Sequence, residues 1–158
     1  MDRQLVLPFG LSDQRLAIAL EQVVRVLPAL RVTPCLEPPS ILGLANIRGQ
    51  LLPVVDLARR FGWVATAPSL WQPFIWLTSS TRELLLPVAR VETASIYAAE
   101  DFTAAPDPRV PSTLLRGVVR SGDGLLLIQD VEQLLSDEDE GRLDALLTAR
   151  AGGLDDAH

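Results

Sequence analysis

Three features of the sequence predict an all-β fold, mainly strands with short helices, in which two small barrels pack as one globule ahead of a C-terminal helix. The apolar residues fall into short runs separated by Gly- and Pro-containing turns, the rhythm of strands. One part of the chain repeats another at a fixed offset, which implies two copies of one structural unit. A sustained helical period is confined to the end, where Leu143, Leu146 and Leu147 form one apolar stripe.

The repeat carries most weight. Gly43-Leu44, Leu51 and Asp56-Leu57 are matched by Gly117-Val118, Leu125 and Asp130-Val131 at an offset of 74. Upstream, Arg15 to Val23 matches Arg82 to Val91 at an offset near 68, and the Pro-rich stretch after Ala98 absorbs the difference. Each copy holds several short strands and a short helix after its Asp. A four- or five-stranded barrel of about 60 residues is marginal alone, so the two copies are expected to stabilise each other through a shared apolar seam. Barrel closure would also remove most exposed strand edges.

Each element follows from local pattern. Gln14 to Leu20 alternates Leu16, Ile18 and Leu20 with small Ala17 and Ala19, a strand with one face in a core. Leu42 to Ile47 and Gln50 to Asp56 read as a hairpin centred on Asn46-Ile47-Arg48-Gly49. Pro53 in its second arm cannot donate a ladder hydrogen bond, so that arm is expected to be an edge or to carry a bulge. Leu57 to Phe61 makes one helical turn that Gly62 stops. Ala65 to Pro73 is a loop. Strands follow at Phe74 to Thr78, Glu83 to Val88, Leu114 to Val119 and Leu125 to Ile128, with Ser121-Gly122-Asp123-Gly124 as the turn between the last two. Ala98 to Pro111 is a long loop. Ser136 caps a helix with an acidic first turn, Asp137 to Glu140, which Gly152-Gly153 ends. These boundaries give one domain over 4–135, with barrels at about 12–66 and about 70–135 (the latter with the N-terminal strand), a helix at 136–150 and a frayed tail at 151–158.

At 158 residues and 48% hydrophobic content the chain can bury a core. A net charge of -6 argues against phosphate-backbone binding, which draws on clustered Lys and Arg. The single Cys35 cannot form an internal disulfide. Leu5-Val6-Leu7 before Pro8 is too short for a signal peptide, and no apolar run approaches a membrane span, so cytoplasmic residence is expected.

The sequence offers little catalytic chemistry. His158, the only histidine, stands at the terminus, away from any metal or general-base partner. Phosphate-cradling and nucleophile-elbow motifs are absent. Neither a cofactor nor a metal is expected. Cys35 reads as a small buried hydrophobe ahead of a nucleophile. Asp56 and Asp130 are equivalent in the repeats; each precedes a helical turn, so capping is favoured over acid-base work, for which Glu92 is the remaining candidate. Arg48 is different, because a hairpin turn projects it into solvent where no core requires it. There it either grips a partner's carboxylate or is merely solvated. Trp76 is assigned to a strand, while Trp63 and Trp71 flank a loop as packing residues or partner anchors.

The sixteen positions Leu42-Gly43-Leu44-Ala45-Asn46-Ile47-Arg48-Gly49-Gln50-Leu51-Leu52-Pro53-Val54-Val55-Asp56-Leu57 resemble the G-x-x-N-[LI]-R-G core of CheW-like domains, the chemotaxis coupling adaptors. The resemblance continues upstream through Leu16 to Val23 and downstream through Leu115-Arg116-Gly117 and Leu125 to Leu135. It implies two intertwined five-stranded SH3-like β-barrels and a non-enzymatic scaffold. It also implies two partners: the cytoplasmic tip of methyl-accepting chemoreceptors and the regulatory domain of a CheA-type histidine kinase, with the membrane reached indirectly through the receptors. By similarity Val23, Asn46, Arg48 and Gly49 face the receptor, and Gly43, Pro53, Asp56, Gly117 and Asp130 belong to the structural motif.

The chain departs from the family pattern in places. Arg25 stands where an acid is usual, so two like charges, Arg25 and Arg48, are expected near each other, favouring a more acidic partner. Leu85 and Ala89 replace the usual Gly and Asp, and Pro87 is expected to interrupt its strand. A stand-alone adaptor is expected, in a chemotaxis pathway or in an auxiliary, non-flagellar one. A β-barrel nucleic-acid binder is disfavoured by the acidic charge and 5% aromatic content.

Overall fold

The computed structural model describes residues 3–11, 13–35, 40–63, 71–98, 102–103, 115–121 and 124–156. In chain order the strands are β1 (Arg3–Leu11), β2 (Gln14–Ala19), β3 (Val23–Leu27), β4 (Thr33–Pro34), β5 (Ile41–Ile47), β6 (Gln50–Val55), β7 (Phe74–Thr78), β8 (Glu83–Pro87), β9 (Arg90–Val91), β10 (Ser95–Ala98), β11 (Phe102–Thr103), β12 (Leu115–Ser121) and β13 (Gly124–Gln129). Helix α1 (Leu57–Arg60) follows β6, a 3-10 turn (Val131–Gln133) follows β13, and α2 (Asp137–Asp156) closes the chain.

These strands form two sheets, ordered β10-β1-β2-β13-β12-β11, with β9 on β1, and β3-β7-β8-β6-β5-β4. Five strands of four or more residues form the body of each, and two-residue strands extend them. The repeat is visible in the two hairpins and the turns that follow them. Hairpin β5–β6 maps onto β12–β13 at the offset of 74, and both hairpins slip register at their start, between Ile41 and Gly43 and between Leu115 and Gly117. Asp56 caps α1 by accepting from the Arg59 N–H at 3.1 Å, and Asp130 accepts from Glu132 N–H at 3.1 Å. The second offset holds as well: Pro8 pairs with Ala17 where Trp76 pairs with Leu85, 68 positions on.

Two parallel pairings show how the copies join. Strand β6 pairs in parallel with β8 at Val54 and Leu85, and β13 pairs in parallel with β2 at Ile128 and Ala17. Each sheet therefore combines the hairpin of one repeat with strands from the other, so the two repeats are intertwined. A cut between them would break both sheets.

Alternating side chains share out the core. In β7, Phe74 and Trp76 pack inside the β3–β8 sheet's own cluster with Leu52, Val54 and Leu85, while Ile75 and Leu77 point into the seam. In β13, Leu126 and Ile128 pack with Val6, Ala17 and Val119, while Leu127 enters the seam. The seam cluster draws on both sheets, with Phe9, Leu16, Ile18, Ile41, Val55 and Leu86 among its residues, and is the shared apolar surface the repeat required. Burial of apolar surface stabilises by roughly 25 cal/mol per Å², so this interface holds the units together.

Three local expectations change. The Pro53 arm is interior, between β8 and β5. Pro53 is tolerated because the parallel junction on one side is registered only at neighbouring Val54, and the register slip on the other lies opposite Val54 and Val55. Pro87 does not interrupt a strand; it is the last residue of β8. Helix α2 passes through Gly152 and Gly153 to Asp156 instead of stopping there. Most of the loop read over Ala65–Pro73 and most of that after Ala98 lie outside the described residues, although Phe102–Thr103 within the latter forms β11.

Candidate partner-binding site

The hairpin β5–β6 closes with Ile47 opposite Gln50, leaving Arg48 and Gly49 as a two-residue loop. Their φ angles are 53° and 88°. Positive φ at both central positions is the geometry whose twist matches the flanking strands, and Asn-Gly or Gly-Gly is the sequence it prefers. Gly49 adopts it without strain. Arg48 does not: it is the one non-glycine residue with positive φ among those described, and a Cβ in that region costs about 1–2 kcal/mol. Asn46 stabilises the turn, its Oδ1 accepting from the Gly49 N–H at 2.7 Å. Asn46, Arg48, Gly49 and Gln50 are all exposed.

The predicted partner residues thus divide by what they do. Arg48 projects from the turn and forms no ion pair among the described residues. Asn46 and Gly49 build the turn that presents it. Val23 is half-buried and packs against the seam. Arg25 lies on β3, an edge strand, with Trp76 as its cross-strand neighbour, and is exposed between Val24 and Val26 at 45% and 41% exposure. Strands β7, β8 and β6 separate β3 from β5 in hydrogen-bonding order, so strand pairing does not make Arg25 and Arg48 neighbours.

The structural residues have explicit roles. A Cβ on Gly43 would fall 2.1 Å from the Thr33 carbonyl oxygen, so glycine is what lets β4 lie against β5. Gly117 sits at the equivalent register slip of β12. Pro53 pairs opposite Leu44.

The remaining candidates for chemistry are tied into structure. Glu92 accepts two hydrogen bonds from Arg15, at 2.7 and 3.1 Å, and these, assisted by the charges of Arg15 and Arg90 against the opposing effect of burial, hold its pKa below the ordinary carboxylate value. Cys35 is partly buried beside the seam, its Sγ 3.7 Å from the Ile41 carbonyl. Trp63 packs on Phe61 with ring centroids 4.8 Å apart, whereas Trp71 is 90% exposed. Among the described residues no group of His, Cys, Asp and Glu could hold a metal ion, and no helix is long and apolar enough to cross a membrane.

Sequence reasoning missed β3. Its Val23-Val24-Arg25-Val26-Leu27 run shows no alternation because an edge strand exposes both faces, and three β-branched residues were the available signal.

Two interlocked β units that expose a strained arginine hairpin and a free edge strand define an interaction module. The chain belongs to the CheW-like domain family, whose match spans residues 5–139. It is 28% identical to the chemotaxis protein CheW of Rhizobium meliloti over 125 residues, 78% of this chain and 77% of that protein. It is 26% identical to CheW of Klebsiella aerogenes over 139 residues, 86% and 84% of the two chains. The crystal structure of the scaffolding protein TtCheW from Thermoanaerobacter tengcongensis superposes with a TM-score of 0.78 at 21% identity, covering 86% of this chain and 90% of that one, which supports the same SH3-like fold.

Proposed function

We propose that this protein is a non-enzymatic cytoplasmic adaptor that couples chemoreceptors to a CheA-type histidine kinase. The observation that carries the reading is Arg48. A residue held in left-handed backbone at the tip of an exposed turn, where Asn or Gly would be more stable, does nothing for the fold, and strain of this kind gathers at binding sites. Its guanidinium is poised for a bidentate grip on a carboxylate of a receptor hairpin tip. Membership of a family represented by chemotaxis proteins supports this partner class.

Exposed Arg25 on the β3 edge favours a second reading, an auxiliary non-flagellar pathway whose partner is more acidic, because it adds a positive charge without an ion-pair partner among the described residues. Calorimetric titration with a receptor-tip fragment and, separately, with a CheA-type regulatory domain tests both. Arg48→Glu should weaken receptor binding by about 1–3 kcal/mol. A folded Arg48→Glu protein with unchanged affinity would remove Arg48 from the interface.

A further inference from the structure

The family match ends at residue 139, within the first turn of α2, yet the helix beyond it still packs on the body of the protein through its apolar stripe. Leu143 is fully buried in the seam and Leu146 and Leu147 pack against it. The polar side of the contact converges on Arg82, in the turn between β7 and β8. Arg82 Nε donates to Glu140 at 2.6 Å and its Nη2 donates to Asp144, with the Arg82 side chain only 13% exposed. Burial opposes its charge, but the bonds to Asp144 and Glu140 outweigh that and raise its pKa. The same turn is also held by the 3-10 turn after β13, since Ser80 N–H and Oγ donate to Glu132 at 2.7 and 2.5 Å.

This clamped turn leads directly to the arginine hairpin. Glu83, next to Arg82, accepts from Gln50 Nε2 at 2.6 Å, and Gln50 is the residue that follows the Arg48-Gly49 loop. Gln50, Leu51, Arg82, Glu83 and Leu147 line one open groove of about 470 Å³, so hairpin, turn and helix meet along a single wall. A two-residue hairpin tip beyond its last paired residues has few restraints of its own, and Asn46 fixes its backbone curvature without fixing the direction in which the arm leans.

We propose that Arg82 is a positioning residue for partner binding: by anchoring α2 to the β7–β8 turn it fixes Glu83, and through Gln50 it sets the orientation in which Arg48 meets its partner. The role rests on the reading of Arg48 as the partner contact. It also makes α2, most of which lies beyond the family match, part of the machinery of recognition.

The test is a double-mutant cycle on the full chain, with binding to a soluble receptor-tip fragment read by calorimetry and amide exchange read at Gly49 and Gln50. Arg82→Gln and Gln50→Ala should each weaken binding about threefold to tenfold, and the double variant should be no weaker than the worse single one, because both cut the same chain of contacts. Arg82→Lys should restore most of the affinity. Exchange at Gly49 and Gln50 should speed up in Arg82→Gln but not in Arg15→Gln, which breaks a comparable ion pair on the other sheet. If Arg82→Gln does not fold, Glu140→Gln with Asp144→Asn cuts the clamp from the helix side. Additive losses, or full affinity in Arg82→Gln while Arg48→Glu still weakens binding, would overturn the positioning role and leave the reading of Arg48 intact. Full affinity in Arg48→Glu would overturn that reading and the positioning role with it.

Discussion

Arg48→Asn separates what the hairpin does for stability from what it does for binding. The wild-type turn places Arg48 at φ 53° and Gly49 at 88°. The left-handed region costs an ordinary L-residue about 1–2 kcal/mol, and asparagine, the residue preferred at this turn position, avoids most of that cost. Nothing is lost in packing, because the side chain is exposed, and Asn46 keeps its bond to Gly49 N–H. The variant should therefore be more stable by about 1 kcal/mol, a rise in Tm of roughly 2–4 °C for a chain of this size. It should also lose the guanidinium, weakening partner binding about 5- to 150-fold if Arg48 is an interface anchor of 1–3 kcal/mol. Urea unfolding and calorimetric titration of one preparation measure both. A variant that is less stable would show that Arg48 contributes to the fold in a way its exposure hides, and one that is more stable but binds equally well would show that its strain serves no partner.

Three further outcomes follow from packing and charge. Leu143→Ala empties a fully buried site where α2 meets the seam and should cost about 2–5 kcal/mol by urea unfolding; a loss under about 1 kcal/mol would mean that α2 is undocked in solution. Gly43→Ala drives a methyl group into the Thr33 carbonyl and should cost about 1–3 kcal/mol, with faster amide exchange at Leu44; unaltered stability would mean β4 does not lie against β5 as described. Glu92, whose pKa is lowered by Arg15, contributes stability that is present above its unfolded value of about 4.3 and is lost as pH falls through the lower folded value. Glu92→Gln should therefore flatten the acid limb of the stability profile below about pH 4.3, and an unchanged limb would show the pair is not formed in solution.

The fold was legible where local pattern and duplication agreed. The offset of 74 survives at single-residue level because each hairpin must keep its glycine at the register slip and its aspartate at the following cap, positions that chemistry restricts to few residues. Pairing between repeats was not legible. Val54 meeting Leu85, and Ala17 meeting Ile128, depends on which of two equivalent apolar strands lies nearer in space, and both repeats present the same alternation to either partner. The Arg48 loop could be named from sequence, but its strain could not, since only the Ile47–Gln50 register forces arginine into left-handed backbone. The ion pairs of Arg82 were equally hidden, because they span 58 and 62 residues and depend on where α2 docks.

The duplicated frame also bears on the role proposed for Arg48. Strand lengths, register slips and capping aspartates match between β5–β6 and β12–β13, so whatever these features do is structural and is done twice. The turns differ. At the offset of 74, Asn46, Arg48 and Gly49 correspond to Arg120, Gly122 and Asp123, so the second hairpin has neither the asparagine nor the arginine at the equivalent places. A residue that served only hairpin closure would have no reason to be the less suitable type in one copy and a permissive glycine in the other. The difference fits one partner-facing turn on a two-fold-like scaffold, and it yields a direct comparison: substituting Arg120 should leave receptor-tip affinity unchanged under conditions in which substituting Arg48 reduces it. Equal losses at both arginines would mean that binding follows the net charge of the exposed hairpins and does not depend on the geometry of the Arg48 turn.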